Sequence, residues 1–294
     1  MNRVRKQIHY SRAEKEQLTG YHIGVGVLDS GIFPHEDLKD QIRAFRDFTN
    51  KYQLPYDETG HGTHVCGILA GNGRVLHGKY KGMAPCCDLY VGKILNKRGE
   101  GSLKTLLRGL QWLLSIAESC NVRVINISVS SIASARPEEQ RKLYELFQYA
   151  YENNILIVTA AGNFGPGDNT ISRLGDTPYV ICVGCHDGDL ENGGLRCQDC
   201  SGRGPGENVW KKPDVVAPGT QIISCQAAYG KYVARSGTSM ATPIVSGLLA
   251  LAWEKYPYLN AMQLKRKLIL SATDLGESYL MQGAGMVDVE KMLS

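Results

Sequence analysis

The chain has no run of about 18 apolar residues, so no segment is long enough to cross a bilayer as a helix. No secretory leader is expected at the start as given: after MNRVRK comes QIHYSRAEKEQ, which puts charges where an apolar stretch would have to be. Strong charge of either sign is missing too, with a formal +4 at pH 7, and no basic stripe is interleaved with aromatics. These absences remove the electrostatic footprint of a nucleic-acid partner and the span of a membrane partner. The early basic residues Arg3, Arg5 and Lys6 read as a solvated arm, and the expected compartment is the cytoplasm. No linker, repeat or low-complexity segment interrupts the pattern. Residues 21–294 therefore read as one domain, preceded by an extension over residues 1–20.

Glycine, by contrast, is abundant at 33 of 294 residues, which implies many tight turns. Cysteine is present nine times, an odd count scattered through apolar segments, which suits reduced and buried thiols. CVGC (182–185) and CQDC (197–200) bring zinc to mind. Cys182 and Cys185 lie in a strand-like run, however, where residues three apart face opposite sides, so zinc is disfavoured.

The stretch SRAEKEQL (11–18) reads as a short helix capped by Ser11 with Glu14. Buried strands are expected at 23–32, 88–95, 122–129, 154–162 and 179–185, with helices after His61, near 102–119 and near 138–153. Strand alternating with helix predicts an α/β fold, a mainly parallel sheet covered by helices on both faces. In such sheets chemistry collects at the carboxyl ends of strands, where Asp29 and Asn163 fall.

SGTSMATP (236–243) leads directly into IVSGLLALAW, a run apolar nearly all round and hence a buried helix. Pro243 is expected in its first turn and Ser239 near its N-cap. Alone, Ser239 could be no more than a cap. His61, in TGHGTHVCG, opens another helix in the same way. A serine hydroxyl needs an adjacent base to attack at neutral pH, and a histidine held by an aspartate supplies one. An asparagine amide can hold the oxyanion that results.

VLDSGI, GHGTHVCG, AAGN and GTSMATP, in that chain order, resemble the subtilisin-like serine proteases over nearly all of residues 20–293. The resemblance implies a three-layer fold and a serine endopeptidase working through an acyl-enzyme. By it, Asp29 is the acid, His61 the base, Ser239 the nucleophile and Asn163 the oxyanion donor, while His64 is noncatalytic. One wall of the first specificity pocket falls on Ser128, Val129, Ser130 and Ser131, and Phe164 stands where relatives often carry a polar or acidic residue. An apolar residue before the scissile bond is the corresponding expectation. No cofactor is required, though calcium is possible: Asp37 and Asp187 match family ligand positions. The loop GNGRVLHGKYKG is too basic to suit a dication. The chain is most similar to intracellular subtilisins, whose N-terminal extension can lie across the site, so residues 1–20 are a candidate autoinhibitor. A non-catalytic peptide-binding scaffold and a dedicated processing protease are the alternatives.

Overall fold

Alternating strands and helices form a seven-stranded sheet in a computed structural model, which describes residues 1–50, 52–129, 136–187, 196–207 and 210–294. In chain order the elements are α1 (Asn2–Gln7), α2 (Ser11–Lys15), β1 (Gly24–Asp29), β2 (Ile42–Asp47), α3 (His61–Ala70), β3 (Asp88–Lys93), α4 (Leu103–Ile116) and β4 (Val122–Ile127). Then follow α5 (Pro137–Glu152), β5 (Leu156–Ala160), β6 (Val180–Cys185), α6 (Cys197–Cys200), β7 (Val215–Ala217), β8 (Ile222–Cys225) and β9 (Tyr232–Arg235). The chain ends in α7 (Thr238–Lys255), α8 (Ala261–Ser271), α9 (Tyr279–Gln282) and α10 (Val289–Met292).

The strand order is β2-β3-β1-β4-β5-β6-β7 with every pair parallel, and β8 and β9 form a separate antiparallel hairpin. Side chains alternate across the sheet as strand geometry requires. Val25 and Val27 of β1 join the core shared with α3 and α7, while Leu28 joins the core shared with α4 and α5. The three-layer α/β architecture expected from sequence is therefore present. The chain passes from β1 to the edge strand β2, returns to β3 beside β1, and then crosses to β4 on the other side of β1 before continuing to β7. The direction of winding therefore reverses next to β1, whose carboxyl end carries Asp29.

Several local expectations need correction. Helix α2 begins at Ser11 itself with Tyr10 as N-cap, and no side chain caps it; Glu14 instead pairs with Arg5 at 2.9 Å. Pro243 is not in the first turn of α7 but is its sixth residue, because the helix starts early, at Thr238. Residues 1–20 are not a separate appendage: Val4, Ile8, Tyr10 and Ala13 are buried members of the larger core. Val4 and Ile8 lie one helical turn apart and so share a face. The cysteines are not all reduced, since Cys185 and Cys197 form a disulfide with their Cα atoms 5.7 Å apart. That bond also occupies one sulfur from each CxxC pair.

Candidate active site

Strand β1 places Asp29, and the N-terminus of α3 places His61. Nδ1 of His61 lies 2.7 Å from Oδ1 of Asp29, whose side chain is fully buried. A proton on Nδ1 satisfies the carboxylate and leaves the lone pair on Nε2, so the ring presents a base outward. Burial alone would lower the imidazole pKa; the Asp29 carboxylate outweighs it and holds the ring above its ordinary value of 6.5. His64, one turn along α3, is different. Its Nε2 lies 3.0 Å from the carbonyls of both Ile222 and Val233, and burial pushes its pKa down to about 4. His64 is thus a neutral clip joining α3 to the β8–β9 hairpin.

The approach of α3 to β1 demands glycine at position 62, because a Cβ there would sit 2.1 Å from the Gly31 carbonyl. Ser30 and Asp57, absent from the motif reading, close this turn: the Ser30 hydroxyl donates to Asp57 at 2.8 Å and accepts from the Gly62 N–H at 2.9 Å. The visible signal for Asp57 was its place four residues before His61, in DETGH. Lys93, fully buried at the end of β3, donates to the Ser30 carbonyl at 2.7 Å and supports the same turn from below.

Ser239 is the second residue of α7, after an N-cap Gly237 whose φ of 142° suits only glycine. Helix α7 packs against α3, and Arg235, four residues before Ser239, donates to the Thr59 carbonyl, two residues before His61, at 2.9 Å. The hydroxyl of Ser239 makes no hydrogen bond to His61 among the described residues, a contact that in free enzymes often tightens only with substrate. Asn163 follows β5 and is exposed. Its Oδ1 accepts from the Thr238 N–H at 3.0 Å and the Thr238 hydroxyl at 3.1 Å. A backbone N–H can only donate, so the atom facing Thr238 is the oxygen, and Nδ2 is left as a donor near Gly237 at the start of α7.

Of the substrate-binding candidates, Phe164 is 62% exposed next to Asn163. Ser128 and Val129 are buried, and the Ser128 hydroxyl accepts from Asn126 at 2.9 Å, so Ser128 can offer a bound peptide its backbone but not its side chain. Ser130 and Ser131 lie outside the described residues.

Both calcium candidates accept internal hydrogen bonds on each carboxylate oxygen. Asp37 accepts from the Val75 N–H at 3.0 Å on one oxygen and from the Tyr232 hydroxyl at 2.6 Å on the other. Asp187 accepts from the Gly219 and Thr220 amides on Oδ1 and from the Thr220 hydroxyl on Oδ2. An ion there would have to share these oxygens with those donors. His35, Asp37 and Cys225 do cluster, but Nδ1 of His35 accepts from the Asp37 N–H at 3.1 Å and its Nε2 meets the Lys231 carbonyl at 3.1 Å. That cluster is thus committed to internal bonds.

Fold and relatives together place the chain among the serine endopeptidases of α/β architecture. Residues 20–287 match the sequence model of the subtilase family, and the chain belongs to that family. It is 35% identical to serine protease AprX of Bacillus subtilis (strain 168), over 94% of this chain and 67% of that protein. It is 33% identical to subtilisin DY of Bacillus licheniformis, over 95% of this chain and 94% of that protein. Among solved structures, sphericase superposes with a TM-score of 0.80 at 31% identity, covering 92% of each chain.

Proposed function

We propose that Asp29, His61 and Ser239 form the catalytic triad of this endopeptidase, with Nδ2 of Asn163 and the Ser239 amide as oxyanion donors. The observation that carries the reading is the 2.7 Å bond from His61 Nδ1 to a buried carboxylate, on the rim where α7 presents Ser239. In this mechanism Nε2 of His61 takes the Ser239 proton as Oγ attacks the scissile carbonyl. Asn163 bonds the oxygen that becomes negative, and His61 then returns the proton to the leaving amine. Water, deprotonated by the same ring, hydrolyses the acyl-serine and restores the hydroxyl. Asp29 stays ionised throughout and stabilises the imidazolium.

The test is labelling with a fluorophosphonate, which reacts only with an activated serine. The chain should label at Ser239, Ser239→Ala should not, and Asp29→Asn should label far more slowly. A wild-type chain inert to the probe refutes the mechanism and favours a non-catalytic peptide-binding scaffold.

Specificity at the residue before the cleaved bond is read as apolar. In this reading exposed Phe164 and buried Val129 line that subsite, and neither brings a charge. Cleavage of a peptide library dominated by Lys or Arg at that position overturns this reading. A proteome-wide cleavage survey separates a broad endopeptidase from a dedicated processing protease.

Residues 1–20 act in this reading as a strap rather than as an inhibitor. Arg3 donates to the Thr220 carbonyl, Arg5 to that of Gly82, Gln7 to that of Asp187 and Tyr10 to that of Met83. None of the segment's hydrogen bonds or ion pairs reaches Asp29, His61, Asn163 or Ser239 among the described residues. Burying Val4 and Ile8 is worth about 1.5–3 kcal/mol each. Deleting residues 1–18 should lower the melting temperature; a rise in peptidase activity on deletion restores the autoinhibitor reading.

A further inference from the structure

The turn between acid and histidine is closed by a carboxylate that the triad motifs do not include. We propose that Asp57 is a positioning residue for the hydrolytic reaction, locking the end of β1 and the start of α3 into one unit so that Asp29 and His61 stay aligned while Ser239 reacts. This rests on the roles assigned above to those three residues.

Asp57 is buried, and each of its oxygens is surrounded by donors. Oδ1 accepts from the Ser30 hydroxyl at 2.8 Å, the Gly60 N–H at 2.9 Å and the Thr59 N–H at 3.2 Å. Oδ2 accepts from the Thr63 N–H at 2.8 Å and the Thr63 hydroxyl at 2.7 Å. Ser30 is the neighbour of Asp29, and Gly60 and Thr63 flank His61 on either side. The clamp reaches further, because the Thr63 hydroxyl also accepts from the Phe33 N–H at 2.9 Å, in the turn that follows Asp29. One side chain therefore ties together the backbone before the histidine, the backbone after it and the residue next to the acid.

An ionised acceptor makes shorter and stronger hydrogen bonds than a neutral one, so this clamp is stiff. Stiffness matters because a misplacement of about 1 Å between reacting groups costs about 10² in rate. Among the described residues no cation pairs with Asp57, so its charge is held by dipoles and faces the site where His61 becomes positive. The charged and titratable groups around that ring are Asp29, Asp57, Arg235 and His64; the two carboxylates favour the imidazolium and Arg235 opposes it.

The experiment compares Asp57→Asn, Ser30→Ala and the double variant in the full chain, with active sites counted by fluorophosphonate titration. On a chromogenic peptide, Asp57→Asn should lower kcat per titrated site by about 10² with KM unchanged. The acid limb of its kcat/KM profile should move to lower pH, since an anion that favours the imidazolium is gone. Ser30→Ala should lose less, and the double variant should lose less than the sum of the two single losses, because both variants remove the same Ser30–Asp57 bond while only Ser30→Ala removes the acceptor of the Gly62 N–H. A purely structural role would reduce the titrated fraction and leave kcat per site and the pH limb in place, which overturns the proposal. Additive losses overturn it too. If Asp57→Asn fails to accumulate, Ser30→Ala and Thr63→Val each remove one strand of the clamp and carry the same expectations. The downfield NMR signal of the proton between His61 and Asp29 gives a readout that does not depend on turnover. Should the wild type prove catalytically inert, the triad mechanism fails, and weakening of that signal in Asp57→Asn still supports the clamp, while an unchanged signal refutes it.

Discussion

The orientation of Asn163 gives the sharpest quantitative expectation. Its side chain is exposed, so Asn163→Ala creates no cavity and should leave the melting temperature nearly unchanged. Turnover should nevertheless fall by about 10²–10³, or about 2.7–4 kcal/mol, the range known for removal of the equivalent single donor in subtilisin. Thr238→Val is the graded companion. It deletes the hydroxyl that reaches Oδ1 at 3.1 Å and keeps the backbone donor at 3.0 Å. A neutral hydrogen bond is worth about 0.5–1.5 kcal/mol net, which at 1.36 kcal/mol per decade caps the loss in kcat at about two- to thirteen-fold. Asn163→Asp separates donation from loop anchoring: it can still accept from Thr238 but turns an anion towards the developing oxyanion, so it should lose at least as much as Asn163→Ala. The assay is steady-state hydrolysis of a chromogenic peptide, resolved into kcat and KM, with thermal unfolding alongside. Unchanged kcat in Asn163→Ala, or a larger loss in Thr238→Val than in Asn163→Ala, refutes the reasoning.

Three other expectations follow from the geometry. Because Asp29 holds the His61 pKa above 6.5, the acid limb of kcat/KM should lie above that pH; Asp29→Asn leaves burial unopposed and should move the limb below it, and a wild-type limb below 6.5 contradicts the assignment. Alkylation in denaturant should modify the seven free cysteines without reduction and all nine after it, and reduction should cost about 3 kcal/mol of stability, as expected for closing a short loop; nine modified thiols without reductant refute the disulfide. Chelation should leave the melting temperature unchanged, since the Asp37 and Asp187 carboxylates are already filled by N–H and O–H donors; a calcium-dependent rise abolished by Asp37→Asn reverses that reading.

The sheet and the principal site were legible because their signals are local. β1, β3, β4, β5 and β6 are mostly apolar and buried along nearly all of their length, as strands covered on both faces must be. β2, with the half-buried sequence IRAFRD, carries no such run, because an edge strand needs less apolar surface, while β7, VVA, is apolar and buried but too short at three residues to stand out. Asp29, His61, Asn163 and Ser239 each sit near a strand end or helix start with a glycine within two residues, so the turn that presents the side chain is itself written in the sequence. Asp57 is not announced in that way, and Thr238, although it opens a helix beside Gly237, carries no sign of the partner it holds. Their work is done by partners far along the chain or by donors that any residue's backbone supplies: Asp57 to Ser30, 27 residues away, and Thr238 to Asn163, 75 away.

Pro243 shows how a sound local rule fails in context. Proline is welcome in a first turn because its missing N–H has no partner there, and that rule would start the helix just after Ser239, with the serine as its cap. The helix starts at Thr238 instead, fixed by Gly237, whose backbone conformation other residues resist, and by Asn163 accepting from the Thr238 amide. Proline in the sixth position then deletes one rung of the ladder, the one whose acceptor is the Ser239 carbonyl. The loss is tolerable because α7 is buried from Thr238 to Trp253, and packing of that extent outweighs one missing hydrogen bond. Ser239 therefore sits inside the helix with its own N–H in the first turn, where no helical acceptor competes for it and an oxyanion can be bonded. A serine that merely capped the helix would turn its oxygen back onto such an amide; placed one residue into the helix, it leaves both the hydroxyl and the amide to face the rim.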